Sequence, residues 1–290
     1  MASDLIEINE KMYPEMSKGQ KRIAAYITEH CDKAAYMTAS RLGEEAGVSE
    51  STVVRFAIEL GYDGYPELHR AMQEALRKRL TTVQRMEVAN NRFAEGGVLE
   101  TVLNGDADRI RSTLESIDQD AFESAVEAIL SAGTIYVIGM RSSFALAEFL
   151  DYNLSLIFKN VHLVRNAGGS EIFDHLMRVK EGDAVIAISF PRYSSRVINA
   201  VKFANDKNAK VIAITDSPSS PIAKNATAAL FAKSDMASFA DSLVAPLSII
   251  NALLAAIGVK KKDEVAETLR QLENVWEEYH VYEKKGIAEK

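Results

Sequence analysis

Five short runs of apolar, largely β-branched residues punctuate the second half of the chain, and they leave few folds open. They are Thr134-Ile-Tyr-Val-Ile-Gly139, Val161-His-Leu-Val164, Asp183-Ala-Val-Ile-Ala-Ile-Ser189, Ala209-Lys-Val-Ile-Ala-Ile-Thr215 and Ala228-Ala-Leu-Phe-Ala232. A strand that is apolar throughout, instead of alternating, is buried on both faces, as in a parallel sheet covered by helices. Stretches of helical periodicity of ten or more residues separate most of the runs, which makes them successive strand–helix–strand units. Helical segments at 98–117 and 120–132 lead into the first run, and segments at 241–259 and 263–283 close the chain. Trp276, Tyr279 and Tyr282 line part of the last one, as core or dimer contacts.

The first eighty residues hold no such run and read as helix throughout. Residues 5–12 and 17–31 carry apolar positions at helical spacing, with Ile23, Ala24, Ile27 and Cys31 on one face. Ser17 is placed to cap the second of these, just after Pro14. Thr38 caps a short segment, Ala39 to Ala46, that Gly47 ends; Ser49 caps the next, which runs to Leu60 and ends at Gly61. A helix from Tyr65 to Leu80 follows, and the polar stretch 81–105, with Asn90-Asn91 and Gly96-Gly97, reads as a connection. A length of 290 residues suits two domains. The expected division is a helical domain at 1–80, a linker at 81–105 and an α/β domain at 106–290. The expected fold is an all-α helix-turn-helix bundle joined to an α/β three-layer domain with a parallel sheet.

The segment from Thr38 to Gly61 has the mechanics of a helix-turn-helix. Leu42 and Ala46 face inward from the first helix, Gly47 permits a left-handed turn, and Val48 plugs the gap between helices. Val53, Phe56 and Leu60 seat the second helix, and Val54 is left for a separate contact. Ser49, Glu50, Ser51, Thr52 and Arg55 are then free to enter a major groove, where short hydroxyls reach phosphates or base edges and an arginine reads guanine. Thr38 and Ser40 approach the DNA backbone, and Lys18, Lys21, Arg22, Arg70 or Arg77 supply charge for phosphates. Bulk charge offers no help: residues 1–92 hold 13 basic and 14 acidic side chains, within a chain of net charge −7. A plain three-helix bundle with a Gly-Val-Ser turn is the bland alternative, so DNA binding rests on local geometry.

That geometry is accompanied by a resemblance. The run from Thr38 through Met72 resembles the N-terminal domain of the RpiR family of bacterial regulators. In that family a serine-rich recognition helix precedes Arg-Phe and then a Leu-Gly-Tyr-x-Gly-Tyr/Phe-x-x-Leu/Phe pattern. Arg55-Phe56 and the stretch Leu60-Gly-Tyr62-Asp-Gly64-Tyr65-Pro-Glu-Leu68 follow it. The resemblance implies a transcription regulator.

In the second half, ligands of an open parallel sheet bind at the carboxyl ends of the strands. Gly139-Met-Arg141-Ser142-Ser143 follows the first run, and Ser189-Phe-Pro-Arg192-Tyr193-Ser194-Ser195-Arg196 follows the third; each opens a helix. Glycine allows close approach, hydroxyls and helix amides donate, and arginines hold anions, so Gly139, Arg141, Ser142, Ser143, Ser189, Arg192, Ser194 and Ser195 form a candidate phosphate site. Helix capping by Ser142 and Ser194 is the alternative, although it leaves the arginines unexplained. Thr215-Asp216 with the Ser-Pro turn after it, and Gly168-Gly169-Ser170, are placed to border the pocket. Neither loop has the glycine-lysine signature of a nucleotide site, and no cofactor is expected.

Residues 120–258 resemble the sugar isomerase (SIS) domain that follows the helix-turn-helix in RpiR regulators. In that domain one serine after the first strand and a Ser-x-Ser-Gly-x-Thr loop hold a sugar phosphate. Ser143 stands at the first of these positions, and Ser189 and Ser194 at the ends of the second motif. Pro191 stands where the family has serine and Arg192 where it has glycine, so a sugar phosphate, a sugar acid or an unphosphorylated polyol would suit the loop.

The resemblance implies a regulator that binds a palindromic operator in double-stranded DNA as a homodimer or homotetramer, under control of a sugar phosphate or related sugar derivative. A phosphosugar isomerase is the alternative, with Glu148, Glu171 or Asp174 as the available bases. His162, His175 and Asp174 lack metal-ligand spacing, so no metal is expected. With one cysteine, Cys31, no signal-like N-terminus and no run long enough to span a bilayer, the chain is expected in the cytoplasm without membrane contact.

Overall fold

The computed structural model describes residues 12–79, 86, 97–165, 171–236 and 238–282, and it separates into two compact units, 1–91 and 92–290. The expected helix at 5–12 and the Gly168-Gly169-Ser170 turn lie outside the described residues, apart from Met12.

The first unit is helical: α1 (Lys18–Glu29), α2 (Cys31–Ala34), α3 (Ala39–Ala46), α4 (Glu50–Glu59) and α5 (Tyr65–Arg79). The continuous helix expected over 17–31 breaks at His30, whose φ of −130° and ψ of 42° end α1 before α2 starts. Ser17 forms a full capping box with Gln20, and Thr38 Oγ1 accepts from the Arg41 amide at 3.2 Å, satisfying amides that a helix start leaves bare. Gly47 takes the left-handed conformation at φ 66°. Ile23, Ala24, Ile27, Leu42, Val53 and Phe56 are buried together with Leu68 and Met72 from α5. Gly43, on α3, was not singled out from the sequence, yet a Cβ there would lie 2.8 Å from the Val48 carbonyl oxygen. The absence of a side chain at 43 is what lets the turn close onto the first helix.

The second unit opens with α6 (Val98–Ser116) and α7 (Gln119–Leu130). Helix α6 takes in the last eight residues of the stretch read as linker, because Leu99, Val102 and Leu103 already carry helical spacing. Then come β1 (Ile135–Gly139), α8 (Ser143–Ser155), β2 (Val161–Val164), α9 (Glu171–Leu176), β3 (Ala184–Ile188), α10 (Ser195–Asp206), β4 (Lys210–Thr215), β5 (Ala228–Phe231), α11 (Val244–Lys260) and α12 (Lys262–Glu278). All five strands are parallel, in the order β2-β1-β3-β4-β5.

Side chains alternate between the two sheet faces and build one core on each. Ile135, Val137, Ile186 and Ile212 meet α7, α8 and α11 on one side. Tyr136, Ile138, Val185 and Val211 meet α9 and α10 on the other. Three layers result. Helix α11 is apolar all round because Ile249, Ile250, Leu253 and Ile257 lie in the core. No single helix among the described residues is long and apolar enough to cross a membrane.

One tie in the first unit makes a testable prediction. The Tyr65 hydroxyl donates to the Met37 carbonyl at 2.7 Å, and burial pushes its pKa up from 10.0 to about 12. The unfolded chain therefore ionises first: the contribution is whole below pH 10 and is lost as pH rises towards 12. Thermal melts are expected to show Tyr65→Phe costing about 1 kcal/mol at neutral pH. The variant should also lose less stability than the parent between pH 9 and 12.

Candidate functional site

The two candidate sites sit in separate units and are built differently. In the first unit, α4 presents Ser49, Glu50, Ser51 and Arg55 to solvent, with Thr52 half-buried. Ser49 stands at the cap position but does not cap. Its hydroxyl instead lies 2.9 Å from that of Ser51 and 2.8 Å from that of Thr52. The cause is competition among neighbouring hydroxyls, and the consequence is a helix start whose amides no side chain has claimed. Arg55 Nε reaches back to the Ser51 carbonyl at 3.4 Å, so the guanidinium lies along the same face.

The supporting residues converge on this helix. Ser40 and Thr38 are exposed at the start of α3. A Cβ on Gly19 would fall 3.5 Å from both Thr52 and Val48, which brings the beginning of α1, with Lys18, against the start of α4. Lys21 is turned elsewhere: its ammonium bonds the Pro14 carbonyl at 3.3 Å and lies 5.6 Å from the Tyr13 ring centre. Arg22 holds its guanidinium at the turn, where a Cβ on Gly47 would meet it at 3.1 Å. Arg70 is exposed on α5, and the Arg77 side chain is outside the described residues.

In the second unit the strand order reverses at β1, whose neighbours are β2 on one side and β3 on the other. Connections leaving two adjacent parallel strands towards opposite faces open a crevice at their carboxyl ends. Gly139 pairs with Ile188, so the loops after β1 and β3 start side by side. Gly139 is there for contact: a Cβ would lie 2.4 Å from the Ser143 carbonyl oxygen and 3.1 Å from Ala147. Helix α8 thus begins directly against the strand end.

Ser143 and Ser189 are buried, at 5% and 4% exposure, while Ser142, Arg141, Arg192 and Ser195 are exposed and Ser194 is half-buried. Neither Ser142 nor Ser194 uses its hydroxyl as a helix cap, so capping does not account for them. Arg141 and Arg192 share a further property: both are left-handed, at φ 58° and 64°. That conformation costs a non-glycine residue about 1–2 kcal/mol. The Arg192 backbone has the form glycine favours, which matches the glycine of the SIS motif at that position.

The β3 loop is moored to the next strand. The Thr215 hydroxyl donates to the Ser189 carbonyl at 2.7 Å and lies 2.7 Å from the Ser220 hydroxyl. The Tyr193 hydroxyl donates to Asp216 Oδ1 at 2.7 Å; burial, followed by the charge of that carboxylate, pushes its pKa well above the usual tyrosine range. Ser217 supports the other Asp216 oxygen at 3.3 Å. The sequence suggested Thr215-Asp216 as a border of the pocket; the mooring role of Tyr193 had no signal beyond its place in the loop. Glu148 and Asp174 are exposed, the Glu171 side chain is outside the described residues, and the His162 ring packs against that of Tyr136 with centroids 5.5 Å apart. Among the described residues no group of three or more His, Cys, Asp or Glu side chains could hold a metal.

Comparison with known proteins agrees with this two-part layout. Residues 4–79 match the helix-turn-helix domain of the rpiR family and residues 128–256 match the SIS domain. The chain is 30% identical to the sugar isomerase domain of an RpiR transcription factor from Sphaerobacter thermophilus, covering 96% of that domain and 60% of this chain at a TM-score of 0.57. The chain belongs to the RpiR family.

Relatives in this family extend over almost the whole length. An uncharacterised HTH-type transcriptional regulator of Caldanaerobacter subterraneus is 25% identical over 95% of this chain and 96% of its own. The regulator HexR of Escherichia coli is 23% identical over 95% of each. The NanR protein of Vibrio vulnificus, in complex with ManNAc-6P, shares the fold at 23% identity and a TM-score of 0.58, covering 94% of this chain and 97% of its own. The chain is an RpiR-type transcription regulator with an SIS domain.

The loop geometry separates two substitutions in thermal unfolding. Gly139→Ala forces a Cβ onto the Ser143 carbonyl and is expected to cost about 2 kcal/mol or more. Arg141→Gly should cost less than about 1 kcal/mol, because relief of the left-handed backbone offsets the extra freedom of the unfolded chain.

Proposed function

We propose that the operator affinity of this regulator is set by a sugar phosphate, or a related anionic sugar derivative, held between the loops that follow β1 and β3. The observation that carries this reading is the β1–β3 pairing at the reversal of strand order, which sets two serine-and-arginine loops at one crevice. Ser143 and Ser189 form the floor with Gly139, Arg141 and Arg192 supply charge at the rim, and Ser142, Ser194 and Ser195 offer hydroxyls at the two helix starts. The complex of Vibrio vulnificus NanR with ManNAc-6P supports the ligand class.

Residues 1–80 then bind the operator, 106–290 bind the effector, and the stretch between transmits the change. Helix α4 enters the major groove with Ser49, Ser51, Thr52 and Arg55, while Thr38, Ser40 and Lys18 face the phosphates. Two or four copies act together on a palindrome whose half-sites lie about one helical turn apart, in the cytoplasm. The effector acts through its differential affinity for the two arrangements of the DNA-binding units.

Two measurements test this. In fluorescence anisotropy at fixed salt, Arg55→Ala should weaken operator binding about tenfold or more; unchanged affinity would remove α4 from the groove. In a thermal-shift series with phosphosugars, the effector should raise the melting temperature of the parent and not of Ser189→Ala or Ser143→Ala, whose ligand-free operator affinity stays at the parent value. A shift retained in both variants would place the ligand elsewhere.

A further inference from the structure

The second unit keeps few polar side chains from water, and most of those among the described residues stand in one line. Ser189 begins it, at the floor of the crevice, where its carbonyl accepts from the Thr215 hydroxyl at 2.7 Å. The Thr215 carbonyl in turn accepts from the Ala232 amide, one residue past β5, at 2.8 Å. The next amide, that of Lys233, donates to the Thr113 hydroxyl on α6 at 2.9 Å. Beside it, the Ser234 hydroxyl donates to the Ser242 carbonyl at 3.0 Å, and the Ser242 hydroxyl donates to Asp106 Oδ1, also on α6, at 2.7 Å. Ser189, Ser234, Ser242 and Thr113 are buried, and Thr215 completely so.

Such bonds are costly to leave unmade, because no water replaces a partner lost inside the fold. A shift of the Ser189 backbone therefore carries Thr215 and the residues after β5 with it, or strands a buried group. The far end of the line is α6, which follows directly in sequence on the stretch 81–97 that joins the two units.

That end is incompletely satisfied. The Arg109 guanidinium bonds Asp106 Oδ1 at 3.2 Å, the oxygen that Ser242 also uses, and reaches the Met236 carbonyl only at 3.5 Å. Its Nε is buried with no acceptor among the described residues. The guanidinium also packs against Gly105, where a Cβ would lie 2.9 Å from it, so its own room for adjustment is small. A buried donor without an acceptor is a local cost that a different arrangement relieves. Here the relieving motion is a small displacement of α6 against the residues after β5. Two discrete arrangements of one element are what coupling between distant sites needs.

We propose that this buried line of hydroxyls and amides carries occupancy of the crevice to the DNA-binding unit, with Thr215, Thr113 and Ser242 as its positioning residues. The inference rests on the effector reading above and names the internal path. An anion bound at Ser189 draws on the backbone that Thr215 holds. The displacement passes through the end of β5 to Lys233, Ser234 and Ser242, and these set where α6 stands. Thr113 and Ser242 act without touching the effector.

Two measurements on the full chain test the path. The first needs no ligand: Thr215→Val should speed hydrogen exchange of the Lys233 amide at least tenfold relative to the amides of α7. Thr215→Ser, which keeps the hydroxyl, should restore the parent ratio. An unchanged ratio in Thr215→Val would overturn the path. The second uses, as probe, the phosphosugar that gives the parent its largest melting shift in the series above. Thr113→Val combined with Ser242→Ala should bind that compound within twofold of the parent and lose at least tenfold of its effect on operator affinity in anisotropy. Ser242→Ala alone, a smaller change, should lose at least threefold and keeps the test open should the double variant fail to fold. A response of parent size in these variants would overturn the path and leave the effector reading standing. A parent whose operator affinity answers to no phosphosugar in the series would overturn the effector reading, and with it the role given to the line.

Discussion

The hydrogen-bonded pairing of β1 with β3 is what the effector-binding unit depends on. Because the sheet order reverses there, the crevice exists by connectivity before any side chain is considered. Side chains then refine it. Gly139 lets α8 start in contact with the strand, and Ser189 is held from below by Thr215, itself the last residue of the neighbouring strand. Tyr193 pins the far part of the same loop to Asp216. The floor is therefore fixed by backbone pairing and buried hydroxyls, whereas the charges at its rim stand on two residues whose backbone is held in an unfavourable conformation.

Most of the architecture could be read from the sequence because its signals are local or strongly periodic. The apolar runs located each strand to within one residue, since a strand buried on both faces has no other pattern to show. Ser17, Thr38 and Gly47 were recognisable because each acts on backbone within its own turn. The misses have a common cause. Ser49 looked like a cap, but whether a hydroxyl bonds an amide or another hydroxyl depends on the rotamers of its neighbours. Gly43 reads in sequence as a weak point in a helix and acquires meaning only when Val48 closes over it. Leu99, Leu103, Ile110 and Leu114 on α6 are visible as helical periodicity, yet nothing in a linear pattern says that they will be turned to solvent. The left-handed arginines were equally hidden, since arginine carries no mark of the backbone it will adopt.

The same limits shape the pocket assignment. Ser143 and Ser189 are candidates by their position after strand ends, a property that follows from topology, and both are buried there. The substitution of proline and arginine within the second loop could be seen, and its backbone consequence could not. Arg192 occupies glycine-like backbone without being glycine, so the position keeps the backbone form of the motif's glycine and adds a charged side chain.

The near-neutral first unit, with 12 basic and 14 acidic side chains over residues 1–91 and with Lys21 folded back on Pro14, bears on how the protein finds its site. Non-specific attachment to DNA comes almost wholly from releasing counterions, one for each phosphate neutralised. A unit with so little net charge has a weak overall pull on the duplex, and Lys21 and Arg41 are already engaged within it. In the proposed reading of α4, the contrast between right and wrong sites then falls on its hydroxyls and on Arg55.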